Sequence, residues 1–206
     1  MAVQDDPRVV GPRASWMRSG RLARIQTVAT RLRFVLAVPA AAALVAFADR
    51  VPMWPGVAVA LAGEAVQIWA SAHLHKNVAV VKSGPYAWTR NPMYIGRFFV
   101  GLGLTLLTWR WFFVVAYGLV FALYAQARVL GEEKRLSGLF GEEYADYCRR
   151  VNRWLPRPPR GRLSAGRGSW AAVLRNHELR VAGALLATLA LLRWRIEAFG
   201  RLPWGP

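Results

Sequence analysis

Two apolar runs, Met93 to Thr108 and Trp111 to Ala127, are separated by only Trp109 and Arg110. So short a connection leaves two helices one arrangement, an antiparallel hairpin turned at a membrane interface, where tryptophan is enriched. Two further runs, Leu32 to Ala48 and Trp54 to Ala72, fall in the range of roughly 17–25 residues that a spanning helix needs. The first is barely long enough and contains Pro39, which a membrane helix tolerates as a kink. The expected fold is therefore all-α: a polytopic membrane helical bundle with a tight hairpin, followed by short cytoplasmic C-terminal helices. Val181 to Leu192 is short for a span. A tilted helix, a re-entrant element and a docked helix all remain open for it.

Charge decides between two partners. A net charge of +17 on a soluble chain would point to nucleic acid. Here the arginines flank apolar runs, so the expected partner is the lipid bilayer, with no nucleic acid and no obligate protein partner. The loops after the first and third runs carry only Arg50 and Arg110, whereas the arm from Arg8 to Arg33, the loop with Lys76, Lys82 and Arg90, and the segment from Arg128 to Arg175 are basic. Positive residues stay on the cytoplasmic side. Both ends of the Leu32–Ala127 unit, and the N-terminus, are expected there. Met1 to Arg33 has no apolar core or cleavage site of the kind a signal peptide carries.

By composition the chain divides into a basic arm (1–31), a membrane domain (32–156) and a linker with a C-terminal extension (157–206), since Arg157 to Ser169 is rich in Arg, Pro and Gly. No internal repeat is visible. The single cysteine, Cys148, excludes an intramolecular disulfide and a cysteine-based zinc site. His73 and His75 have no evident third ligand, so no metal is expected, and His177 reads as a surface residue. The arginine bias is compatible with a GC-rich bacterial genome, which suggests a bacterial inner membrane.

The polar loop before the hairpin has a defined grammar. Asn91 is a strong N-cap type, and Pro92 suits the first helical position because its missing N–H would be unpaired there. A helix starting at Pro92 aims free N–H groups at the cytoplasmic face, and Arg90 beside it offers a fork for a carboxylate. Gly84-Pro85 turns the loop, and Gly96 leaves room for close approach. Capping and a juxtamembrane charge would account for the same residues.

Beyond the hairpin, Glu132 and Glu133 stand in otherwise basic surroundings. They could pair with Arg128, Lys134 or Arg135 at helical spacing, or accept hydrogen bonds from an ammonium or hydroxyl group. In an antiparallel hairpin the start of one helix lies beside the end of the other, so Arg90 and the two glutamates should converge. A cation and an anion receptor together suit a zwitterion. Glu64 lies within an apolar run, where an ionisable residue suggests function; substrate contact, pairing with Arg97 and protonated packing are its open roles.

Gly84-Pro85-Tyr86, Arg90-Asn91-Pro92-Met93-Tyr94-Ile95-Gly96, Glu132-Glu133, Leu136, Phe140-Gly141, Tyr144 and Tyr147 together resemble the membrane methyltransferases related to isoprenylcysteine carboxyl methyltransferase and phospholipid N-methyltransferases. Ile68-Trp69-Ala70, His73-Leu74 and Lys76-Asn77 resemble the segment that precedes this loop in bacterial members. The resemblance covers roughly Gly63 to Pro156.

It implies S-adenosylmethionine as methyl donor, with Tyr86, Arg90, Asn91, Pro92, Tyr94, Gly96, Glu132 and Glu133 as cofactor-binding residues. It implies Glu64, Gln67, Trp69 and His73 on the substrate side, with an acceptor that is lipid-like or isoprenoid-linked and presents a carboxylate, amine or thiol. Two positions depart from the pattern: Asn91 stands where many relatives have His, and Gln67 where a basic residue is expected. Methyl transfer from an activated sulfonium demands alignment above all, and no catalytic dyad is evident. A membrane reductase resembling sterol reductases, which share an Arg-x-Pro-x-Tyr loop, and a non-catalytic lipid-binding protein remain alternatives.

Overall fold

A computed structural model describes residues 45–48, 53–74, 79–159 and 166–199. The arm 1–31, most of the run from Leu32 to Ala48 with its Pro39, and Arg50, His75, Lys76 and Asn77 lie outside the described residues, as do the expectations placed on them. Among the described residues the protein is all-helical. Helix α1 is Trp54–His73, a 3-10 turn occupies Gly84–Ala87, and α2 is Pro92–Leu106. Then follow α3 (Trp111–Arg150), α4 (Trp170–Arg175) and α5 (Glu178–Phe199).

Helices α1 and α2 lock together through glycine. A Cβ on Gly63 would stand 2.6 Å from the Gly96 carbonyl oxygen, and one on Gly96 would stand 2.7 Å from that of Gly63. Gly56 repeats the pattern with Gly103 one step along the antiparallel seam, 2.7 Å from its carbonyl oxygen. Small residues let membrane helices approach backbone to backbone, where dispersion and not the hydrophobic effect holds them. Gly96 was expected to make room for a ligand. It makes room for α1 instead.

The hairpin forms as expected, with Trp109 in the left-handed region at φ 52° and Tyr117 Oη donating to the carbonyls of Arg97 and Phe98, 3.1 Å each. Only 11% of the apolar stretch of α3 is buried. An apolar helix that exposes so much of itself is a lipid-facing helix, and among the described residues it alone is both long and apolar enough to cross a bilayer. The protein is a helical membrane protein. Helix α3 runs on past its apolar part to a break at Gly141, whose φ of 50° and ψ of −124° suit glycine. The following turn folds residues 142–157 back over the loop before α2.

The C-terminal apolar run extends on both sides into the 22-residue α5, about 33 Å long at 1.5 Å per residue. Its first turn lies beside the loop before α2, while Leu192 and Ile196 pack with Leu107 and Ala48 at the opposite end of α2. There Arg195 Nη1 donates to the Ala48 carbonyl at 2.7 Å. Helix α5 therefore runs the length of the bundle.

Candidate functional site

A cavity of about 430 Å³ opens where the loop before α2, the middle of α3 and the start of α5 meet. Cavities of that size accommodate cofactors and small ligands. Tyr86, Arg90, Asn91, Pro92, Tyr94, Glu132 and Glu133 line it, so seven residues singled out from sequence are brought together.

Its framework is a clamp between two chain segments. The Arg90 N–H donates to the Asn152 carbonyl and the Arg157 N–H to the Trp88 carbonyl, both at 2.9 Å. Thr89 Oγ1 donates to the Arg153 carbonyl at 3.1 Å, and Tyr147 Oη donates to the Tyr86 carbonyl at 2.8 Å. Burial pushes the phenols of Tyr86, Tyr144 and Tyr147 above their ordinary range, so they stay neutral donors. Helix α2 does start at Pro92, with Asn91 in the N-cap position, but the Asn91 side chain does not cap it. Its Nδ2 donates instead to the Arg153 carbonyl at 3.2 Å, because the folded-back segment presents that acceptor.

The charges are arranged unequally. Glu133 is nearly buried and gripped from two sides, by Arg153 (Nε–Oε1 3.1 Å, Nη2–Oε2 2.6 Å) and by Arg90 Nη1 at 3.4 Å. Its hydrogen bonds hold the Arg153 guanidinium above its ordinary range. Arg153, hidden in a run of basic residues, carries no sequence signal that separates it from its neighbours. Glu132 is the looser carboxylate, half exposed and 4.0 Å from Arg135. Arg90 keeps one buried nitrogen, Nε, without a hydrogen-bond partner. A buried donor left unsatisfied costs about 1–3 kcal/mol, which a ligand acceptor would recover. The cavity wall thus combines one unsatisfied guanidinium N–H and one accessible carboxylate, a donor and an acceptor that together suit a zwitterion.

The residues expected on the substrate side lie elsewhere, and none of the four lines this cavity. Glu64 and Gln67 are buried between α1 and α2, where Gln67 Nε2 donates to Glu64 Oε2 at 2.9 Å. Arg97 makes no ion pair with Glu64; its guanidinium sits over the Tyr94 ring, 5.3 Å from the centroid. Trp69 is 46% exposed on the outside of α1. His73 is buried under the loop, with Nδ1 3.1 Å from Ser83 Oγ. Gly84 lies against its ring at φ 57°, so His73 secures the turn.

A second cavity, about 520 Å³, lies between α2 and α3 and is lined chiefly by apolar side chains, among them Ile95, Phe98, Phe121 and Trp154. Tyr94 lines both cavities, and its ring meets Trp154 edge to face at 6.5 Å.

Residues 58–143 match the family model described as phospholipid methyltransferase. Over 77 residues the chain is 39% identical to the mouse protein-S-isoprenylcysteine O-methyltransferase, covering 37% of this chain and 27% of that protein. A fission-yeast protein of the same name (Schizosaccharomyces pombe) is 28% identical over 102 residues, covering 50% of this chain and 43% of the relative. The cobalt-zinc-cadmium resistance protein CzcN of Cupriavidus metallidurans is 29% identical over 132 residues, 63% of this chain and 58% of that protein. The chain therefore spans about a quarter to somewhat over half of the length of these relatives. No solved structure matches it.

Proposed function

We propose, from a chain whose residues 58–143 match the phospholipid methyltransferase family model, that the protein is a membrane methyltransferase. On this reading it takes its methyl group from S-adenosylmethionine and gives it to a lipid-like acceptor. The observation that carries the proposal is the pair of adjoining cavities, one polar and one apolar, with Tyr94 as their common wall. A polar cofactor and an apolar acceptor need two such compartments meeting at one point.

Bound S-adenosylmethionine supplies an activated methyl group, so alignment and exclusion of water are the protein's main tasks. Arg90 offers its unsatisfied Nε to a carboxylate, and Glu132 offers an acceptor to an ammonium. Glu133 holds Arg90 in place, itself fixed by Arg153. The neutral phenols of Tyr86, Tyr144 and Tyr147 form the inner wall, and Tyr147 secures the loop through the Tyr86 carbonyl. The aromatic groove of α2 and α3 takes the acceptor's apolar tail and brings its head to Tyr94. A carboxylate or thiolate head attacks as it stands, and an amine head must be neutral when it does. The polar cavity faces the cytoplasm on this reading, with Arg110 at the opposite interface.

Equilibrium binding of labelled S-adenosylmethionine and of NADPH to the detergent-solubilised chain tests the reading. Saturable binding of the former alone is expected, together with transfer of label into the lipid-extractable fraction of native membranes. Binding of NADPH alone, or of neither, would overturn it. A cysteine introduced at Arg110 should label from outside the cell, and labelling only from the cytoplasm would reverse the orientation.

A further inference from the structure

We infer that α5 is a further membrane span, with its outer face laid against lipid acyl chains and its last turn on the opposite side of the bilayer from the polar cavity. Helix α5 lies beyond the family match, which ends at residue 143, and its span holds whatever reaction the protein catalyses.

The two ends of α5 are fixed at opposite ends of the bundle. Just before its start, Asn176 Nδ2 donates to the carbonyls of Ser71 and Leu74, 3.2 Å each, at the end of α1 where a helix leaves carbonyls unsatisfied. The Ser169 N–H donates to the Ala72 carbonyl at 2.8 Å, so α4 hangs from the same last turn. At the far end Leu192 and Ile196 pack with Leu107 and Ala48, and Arg195 Nη1 reaches the Ala48 carbonyl. A helix pinned at both ends of α1 and α2 crosses what they cross.

Tryptophan marks the two levels. Trp54 (72% exposed), Trp111 (78%) and Trp194 stand exposed at one end of the bundle, and Trp69, Trp88 and Trp170 (72%) at the other. Trp54 and Ala72 are about 27 Å apart along α1 at 1.5 Å per residue, close to the roughly 30 Å of a bilayer's hydrocarbon core. Tryptophan collects at both membrane–water interfaces. Two belts at this spacing place a bilayer around the whole bundle, α5 included.

Between the belts the outward face of α5 is dry. Val181 to Leu192 contains no charged side chain, and Val181, Leu186 and Leu191 are exposed. The one hydroxyl in this stretch, Thr188 Oγ1, donates to the Ala184 carbonyl of its own helix at 2.8 Å, so nothing there calls for water. These residues cover about 18 Å, short of a full crossing. The arginines beyond them are held in ways that allow the rest. Arg195 is buried on the Ala48 carbonyl. Arg193 pairs with Glu197 at 2.7 Å, and its long stem carries the charge to the interface. The segment before α5 is dense in arginine from Arg157 to Arg175, the pattern of the side on which positive residues are retained.

Cysteines placed singly at Arg175 and at Ala198, in a Cys148→Ser background, are treated with a membrane-impermeant maleimide in intact and in permeabilised cells. Ala198→Cys should label in intact cells and Arg175→Cys only after permeabilisation. The reverse pattern upholds the span and overturns the orientation given above. Labelling of both from one side overturns the inference. A nitroxide on Leu186→Cys, in vesicles of phosphatidylcholine and phosphatidylglycerol, then reads what covers the outer face. Collisions with oxygen should exceed those with a water-soluble nickel chelate several-fold, as among acyl chains. An excess of nickel collisions means water, and spin–spin broadening means a second copy of the chain; either result overturns the inference. Where Leu186→Cys is not recovered in the membrane fraction, Ala187→Cys, exposed on the same helix, is held to the same result.

Discussion

The two faces of α2 are built on opposite plans. Towards α1 the helix is sealed, with Gly63 against Gly96 and Gly56 against Gly103, leaving no room for a methyl group. Towards α3 it packs through Phe98 on Tyr117 and Phe121 and through Tyr94 on Ala125 and Val129, beside a 520 Å³ apolar cavity. At Gly118 on that side an added Cβ would meet nothing within 4 Å. One seam fixes α2, and with it Arg90 and Tyr94. The other stays open to lipid. The two plans are divided between the two faces because a positioned polar group and an apolar opening make contradictory demands on packing.

The largest effect is expected from filling the sealed seam. Gly96→Leu should cost more than about 3 kcal/mol, beyond ordinary overpacking, because a backbone carbonyl stands in the way. Thermal unfolding in detergent reads this out, and a variant as stable as wild type would mean that the seam yields.

Next in size is the clamp around Glu133. Glu133→Gln leaves Arg90 and Arg153 facing a neutral amide, with an expected loss of about 3 kcal/mol, the low end for breaking a buried pair. Denaturant unfolding measures it, and a loss below the few tenths typical of surface pairs would make Glu133 a surface decoration.

Arg90→Ala should weaken S-adenosylmethionine by about 1–3 kcal/mol, with Arg90→Lys recovering only part because a point charge lacks the fork. Unchanged affinity in a folded Ala variant would return Arg90 to a headgroup charge. Glu132→Gln separates the two glutamates. Its exposed side chain predicts a stability change of a few tenths of a kcal/mol, alongside a loss of cofactor affinity of about 1.5 kcal/mol. Both are read from one set of titrations with melting controls.

The smallest effect belongs to the open seam. Gly118→Leu should leave stability within about 0.5 kcal/mol of wild type while raising the acceptor's KM several-fold by occupying the apolar cavity. A large stability loss there would show that the two faces of α2 are not so different.

Much of this was legible in the chain. Apolar runs of spanning length, a two-residue connection and the Asn91-Pro92 start determined the helices and the hairpin, because backbone hydrogen bonds in a bilayer leave little alternative to helix. The motif residues from Tyr86 to Glu133 were visible as a set, and antiparallel geometry alone implied that Arg90 and the glutamates meet. Partner choice was another matter. Asn91 serves the Arg153 carbonyl and not the helix N-terminus, Gly96 serves α1 and not a ligand, and Glu64 accepts from Gln67 and not from Arg97. In each case local chemistry offered several partners of similar strength, and the neighbour that long-range packing delivered decided among them. Tertiary structure alone placed Arg153 on Glu133 and Glu178 at the cavity wall, because their distance along the chain from the motif carries no signal until the helices are assembled.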